Sequence, residues 1–212
     1  MKKLNKKGFT LIELLAVIVI MGILMLVAIP AVSRTIENSR RSTFANTAQT
    51  YINAVKTSVS ADEFTYSDGG TAKPISAAPT GYYYYGFYSN DTTGKDLMEQ
   101  GGKSSWSNAE VKGYVLVVKT VTPATATHNE TQKYEYAIVM IDSAKRGIES
   151  LTKEENITKA VVKPGGTRTY VIAPGATTKD QYTDSTDTTY KIRSSGTAGT
   201  GEVLAKQLTL MA

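Results

Sequence analysis

The chain has 212 residues, no cysteine, one histidine and a formal charge of +5, enough for one core with an appendage and too short for two full domains. The missing cysteines exclude a disulfide framework, thiolate zinc sites and cysteine nucleophiles, while leaving the compartment undecided. Lys2, Lys3, Lys6 and Lys7 carry four of the five net charges, so the remainder is nearly neutral and implies no surface for nucleic acid.

From Phe9 to Val32 the only ionisable side chain is Glu13. As a helix this run would be about 36 Å long, enough to cross a hydrocarbon layer of about 30 Å. The preceding lysines predict an N-terminus held in the cytoplasm and a C-terminal bulk outside. A cleavable secretory signal ending near Ala31-Val32-Ser33 fits poorly, because the apolar run is too long and contains a carboxylate. A plain signal anchor explains length and orientation but not Glu13. At the centre of a spanning helix that carboxylate would cost roughly 2.5–3.5 kcal/mol, and less near an interface.

Helical spacing continues beyond the apolar run. Ile36, Phe44, Ala48, Tyr51, Val55 and Val59 recur on one side, and Arg34, Glu37, Arg40, Arg41, Asn46, Asn53 and Lys56 fill the rest. The pattern predicts an amphipathic helix continuing to about Ser58. Gly22 is a poor helix former, and Pro30 cannot donate to the carbonyl of Leu26, so a kink is expected in this part.

The block Lys6-Lys7-Gly8-Phe9-Thr10-Leu11-Ile12-Glu13-Leu14-Leu15 resembles the N-terminus of type IV prepilins and the related pseudopilins. The resemblance covers roughly the first 50 residues, and Gly22 and Pro30 stand where many pilins carry a glycine and a proline. It implies a leader of residues 1–8, cut between Gly8 and Phe9 by a membrane-bound prepilin peptidase that then methylates the Phe9 amine. It also implies a role for Glu13, as the counter-charge to the Phe9 ammonium of a neighbouring subunit, setting the register of stacked helices. In such filaments the stretch from Gly22 to Pro30 loosens and lets the fibre extend.

After about Ser60 the composition shifts to Gly, Thr, Ser and Tyr. Residues 113–121 and 133–142 read as strands joined by a hairpin loop over 122–132. Both are apolar on both faces near their centres, which predicts a sheet covered on each side, with the helix on one. Further strand candidates are 167–173, 187–193 and 202–211, the last with a pattern that also suits a helix. Gly81-Tyr-Tyr-Tyr-Tyr-Gly-Phe-Tyr88 reads as a strand whose rings pack the sheet and helix, in preference to an adhesive or base-stacking surface. Asp180, Asp184 and Asp187 lack the alternating ligands and turn glycine of a calcium loop and read as a solvated loop. His128 is alone, which leaves no His-bearing triad or multi-His metal site. Gly196–Gly201 lacks the lysine and hydroxyl residue of a phosphate loop, and the triplets at Asn90, Asn129 and Asn156 carry no weight as glycosylation signals.

The expectation is therefore an α+β protein: a leader (1–8), a long N-terminal helix (9–58, with 9–32 as transmembrane and polymerisation segment) and a head (59–212) built on an antiparallel sheet. The resemblance implies a non-enzymatic pilus subunit without cofactor or metal. Its partners would be copies of itself, prepilin peptidase, an assembly platform and minor pilins, and the cytoplasmic membrane before assembly. A pseudopilin of a type II secretion or DNA-uptake machine is the first alternative, and a single-pass surface enzyme or receptor the second. The Cys-free chain lacks the C-terminal disulfide loop of many Gram-negative pilins, which suggests a Gram-positive source and leaves the closure of the head's C-terminal end to be explained.

Overall fold

A computed structural model of the chain describes residues 9–88, 103–107, 111–165, 191–193 and 202–211. One helix, α1 (Leu11–Ser60), is followed by strands β1 (Phe64–Asp68), β2 (Thr71–Pro74), β3 (Gly81–Tyr88), β4 (Val111–Thr122), β5 (Thr131–Asp142), β6 (Gly147–Lys153), β7 (Lys191–Arg193) and β8 (Glu202–Leu210). This is the α+β, pilin-like architecture: one long N-terminal helix and a mostly antiparallel sheet. The chain divides into two compact units, Met1–Ser39 and Arg40–Ala212, and α1 contributes to both.

In the first unit the described residues up to Ile36 are all exposed, Phe9 at 92%. The apolar character of this half therefore serves no core among the described residues. It meets the length and composition needed to cross a membrane. The α-helix runs through Gly22 and Pro30 without interruption.

In the second unit, Phe44, Ala45, Ala48, Tyr51, Ile52, Val55, Ser58 and Val59 of α1 are buried. They recur at three- and four-residue steps because those positions share one face of a helix. The face docks onto a sheet of order β2-β1-β8-β3-β4-β5-β6, with β7 pairing onto β8. Tyr51 stacks on Phe87 of β3, ring centroids 4.1 Å apart and planes at 14°. Phe44 meets Trp106 at 5.5 Å. The helix-side core also takes Val115, Val117, Ile138 and Met140 from the central hairpin, while Tyr114, Leu116, Ala137 and Val139 form a smaller cluster with Tyr84 and Ala205 on the opposite face. The two-faced apolar strands expected from the sequence thus bury residues on both sides of the sheet.

β4 and β5 pair in continuous antiparallel register from Val111↔Asp142 to Thr122↔Thr131, close to the expected hairpin. Two glycines are steric requirements. A Cβ on Gly113 would lie 2.0 Å from the Val139 carbonyl oxygen, and one on Gly147 would lie 2.3 Å from that of Met140 and 2.6 Å from the ring of Phe44. Gly147 also has φ +137°, which side chains rarely adopt.

The last strand closes the head. β8 lies between β1 and β3, antiparallel to the first and parallel to the second. Met211 N–H donates to the Glu63 carbonyl at 2.8 Å, just beyond the end of α1. Strand insertion, with no disulfide, secures the C-terminal end. The 202–211 segment is thus extended and not helical. Of 187–193, Lys191–Arg193 is a strand, and 167–173 lies outside the described residues.

Candidate functional site

The N-terminal candidate is built on the first turn of α1. A helix leaves its first four N–H groups without internal partners. Thr10 and Glu13 answer this reciprocally. Glu13 Oε2 accepts from the Thr10 backbone N–H at 2.8 Å and from the Thr10 hydroxyl at 2.7 Å, while the Glu13 N–H donates to Thr10 Oγ1 at 3.3 Å. The pattern is a capping box. It was legible as Thr-x-x-Glu before an apolar run, a signal separate from the charge of Glu13.

The box has two consequences. It gives the carboxylate hydrogen-bond partners within its own chain and places its charge in the first turn, where the helix dipole favours an anion. It also fixes the start of the helix at Leu11, so Phe9 and Thr10 precede it outside helical conformation. Gly8 lies outside the described residues. At Gly22 a methyl group would meet nothing within 4 Å, so no packing in the isolated chain explains the glycine.

The head's candidates resolve into packing and loops. Tyr83, Tyr84 and Phe87 of β3 are buried. Tyr83 approaches Tyr66 edge-on at 5.5 Å, and its hydroxyl donates to the Pro79 carbonyl at 2.9 Å. Burial pushes the Tyr83 phenol up to about 12. The tyrosine run is core material on these positions. His128 sits exposed in the β4–β5 loop beside Thr127. Asn129 and Asn156 are exposed, and Asn90, Gly196–Gly201, Asp180, Asp184 and Asp187 lie outside the described residues. Among the described residues no group of three or more His, Asp or Glu is placed to hold a metal ion.

Two polar clusters were not foreseen. Lys119 is fully buried, donating to the carbonyls of Ile75 and Ser76 at 2.9 and 2.7 Å beneath the ring of Tyr134. Burial lowers its pKa. It pins the short 3₁₀ turn Ile75–Ala77 to β4. Asp142 accepts from the backbone N–H of Ala144 and Arg146, the Arg146 guanidinium and the Ser104 hydroxyl, all within 2.7–2.9 Å. Arg146 lies over Trp106, and Ser105 donates to the Arg40 carbonyl at 2.7 Å. This hub ties segment 103–107 to the β5–β6 turn and to α1. Both clusters are satisfied from within the chain and read as braces.

Residues 3–29 match the model of the prokaryotic N-terminal methylation motif, the signal of type IV pilins and pseudopilins. The match spans Phe9, Thr10, Glu13 and Gly22. Searches of curated proteins and of solved structures return no match.

Proposed function

We propose that this chain, bearing an N-terminal methylation motif ahead of a pilin-like α+β head, is the precursor of a type IV pilin. Prepilin peptidase cuts between Gly8 and Phe9 and methylates the Phe9 amine. The mature subunit waits in the cytoplasmic membrane of a Gram-positive cell, N-terminus in and head out. It then polymerises with copies of itself, with an assembly platform and minor pilins as partners, into a surface filament for adhesion or motility. Glu13 pairs with a neighbour's Phe9 ammonium and sets register. Two charges that are costly singly in a dry bundle become tolerable as a pair. The observation that carries this reading is a motif-matched helix start whose single carboxylate stands at the head of the apolar, wholly exposed first half of α1. Pseudopilins share the motif, and the length of the head favours a pilus over a short secretion filament.

N-terminal peptide mass spectrometry on assembled material tests it. The expected first residue is Phe9 with one added methyl group. An intact Met1, or a cut after Ser33, overturns the pilin reading in favour of an anchor or an ordinary signal.

A further inference from the structure

The C-terminal strand holds an unusual position in the sheet. Among the described residues, β1 pairs only with β2 and β8, and β3 only with β4 and β8. β8 is therefore the sole bridge within the sheet between the β1–β2 hairpin and the four strands β3 to β6. It is seated between β1 and β3 by two short ladders, besides the parallel ladder that joins Glu202, Val203 and Leu204 to β7. Phe64, Thr65 and Tyr66 face Leu210, Thr209 and Leu208 on one side; Tyr82, Tyr83 and Tyr84 face Ala205, Lys206 and Gln207 on the other.

Few of its side chains are fully buried, although Lys206 pairs with Asp68 at 3.3 Å and lies over the ring of Tyr66. Over residues 204–211 only Ala205 and Leu208 are fully buried, one in each core cluster, while Leu204, Gln207, Thr209 and Met211 are exposed. A strand hydrogen-bonded along both edges, with one side chain fully buried on each face, is the arrangement by which sheets accept an added strand. With β8 withdrawn, β1 and β3 would each present an unpaired edge, and unpaired edges recruit strands from other chains. The segment that fits this gap in length, register and side-chain seats is the same ten residues of another copy.

We propose that β8 is a detachable latch: β1 and β3 frame a slot that residues 202–211 fill, and the slot accepts that strand from a second copy of the chain. The inference rests on the sheet order and on the seating of β8, and stands whether or not the protein forms a pilus.

The cysteine-free chain gives a direct test. Thr65 and Thr209 are directly opposed, a separation that suits a disulfide. Full-length Thr65→Cys and Thr209→Cys variants are purified separately in detergent micelles, mixed, unfolded in denaturant, refolded together and oxidised. The double variant T65C/T209C reports seating within one chain, and a mixture of Ser67→Cys with Thr209→Cys, which lie off register, reports chance collision. The expected result is an intrachain disulfide in the double variant and a disulfide-linked heterodimer from the T65C plus T209C mixture, at least tenfold more abundant than from the off-register pair. A heterodimer yield equal to the off-register control overturns exchange between copies. Failure of the double variant to form its disulfide overturns the seat itself.

Discussion

Tyr51→Ala should cost the head about 4 kcal/mol of stability, because Tyr51 joins α1 to β3. The side chain is fully buried and stacks on Phe87 with centroids 4.1 Å apart. Truncating a buried aromatic side chain to alanine typically costs about 3–5 kcal/mol, from lost burial and the cavity left behind. A stacked ring pair contributes about 0.5–1.5 kcal/mol beyond burial, which places this site in the upper half of that range. Against a typical total of about 5–15 kcal/mol, the loss is a large fraction. Tyr51→Phe keeps the ring and the stack, so it should cost about 1 kcal/mol or less. Denaturant unfolding of full-length protein in micelles measures both, followed through Trp106, the only tryptophan, which touches Phe44 on the same helix. A Tyr51→Ala cost below about 1.5 kcal/mol, or a Tyr51→Phe cost equal to it, would refute the claim that the aromatic interlock holds helix to sheet.

Three further outcomes follow from other parts of the molecule. Glu13→Ala should insert and be cut after Gly8, yet fail to assemble. It leaves a neighbour's Phe9 ammonium unpaired at about 3–5 kcal/mol per subunit, and wild-type filament yield relative to processed protein would show that Glu13 does not set register. Stability should fall as pH rises from about 10 to 12. Burial raises the Tyr83 and Tyr136 phenols to about 12, so the folded state keeps protons that the unfolded chain releases from about 10. Burial of the Lys119 ammonium acts in the opposite sense but on one group. Thermal unfolding across that range should show a shallower fall for Tyr83→Phe/Tyr136→Phe, and equal slopes would exclude these two residues as its source. In an assembled filament, the helix between Gly22 and Pro30 should loosen, since glycine and proline cost about 1 and 3 kcal/mol in a helix interior; a filament map with unbroken helical hydrogen bonding there would refute this.

The elements set by local periodicity were legible in the sequence. Phe44, Ala48, Tyr51, Val55 and Val59 are buried as their spacing predicts, whereas Ile36 is 47% exposed, because it precedes Phe44, the first buried residue of α1. The central hairpin reads off its β-branched runs. The β1–β2 hairpin carries its own signal: Asp68-Gly69-Gly70, with both glycines at positive φ, is turn chemistry between two short strands. The 202–211 segment could not be read locally, since Leu204, Ala205, Leu208 and Leu210 suit either period. The choice is made by partners such as Thr65, whose hydroxyl reaches Thr209 across 144 positions. Lys119 and Asp142 were hidden for the same reason, because their partners lie in other elements. At the N-terminus, Thr-x-x-Glu marks the helix start in sequence, but the proposed filament role of Glu13 rests on a second subunit that one chain does not describe.

Gly147 carries a consequence for how this sequence can drift. Three constraints meet there: the Met140 carbonyl oxygen and the ring of Phe44 both lie in the space a Cβ would need, and the backbone at φ +137° rejects a side chain whatever the space. A second-site change such as Phe44→Leu relieves only the clash with the ring and leaves the other two. Selection for revertants of Gly147→Ala should therefore return the original codon more readily than a compensating change at position 44. Position 44 can shrink while 147 stays glycine, so tolerance between these two touching residues runs in one direction only.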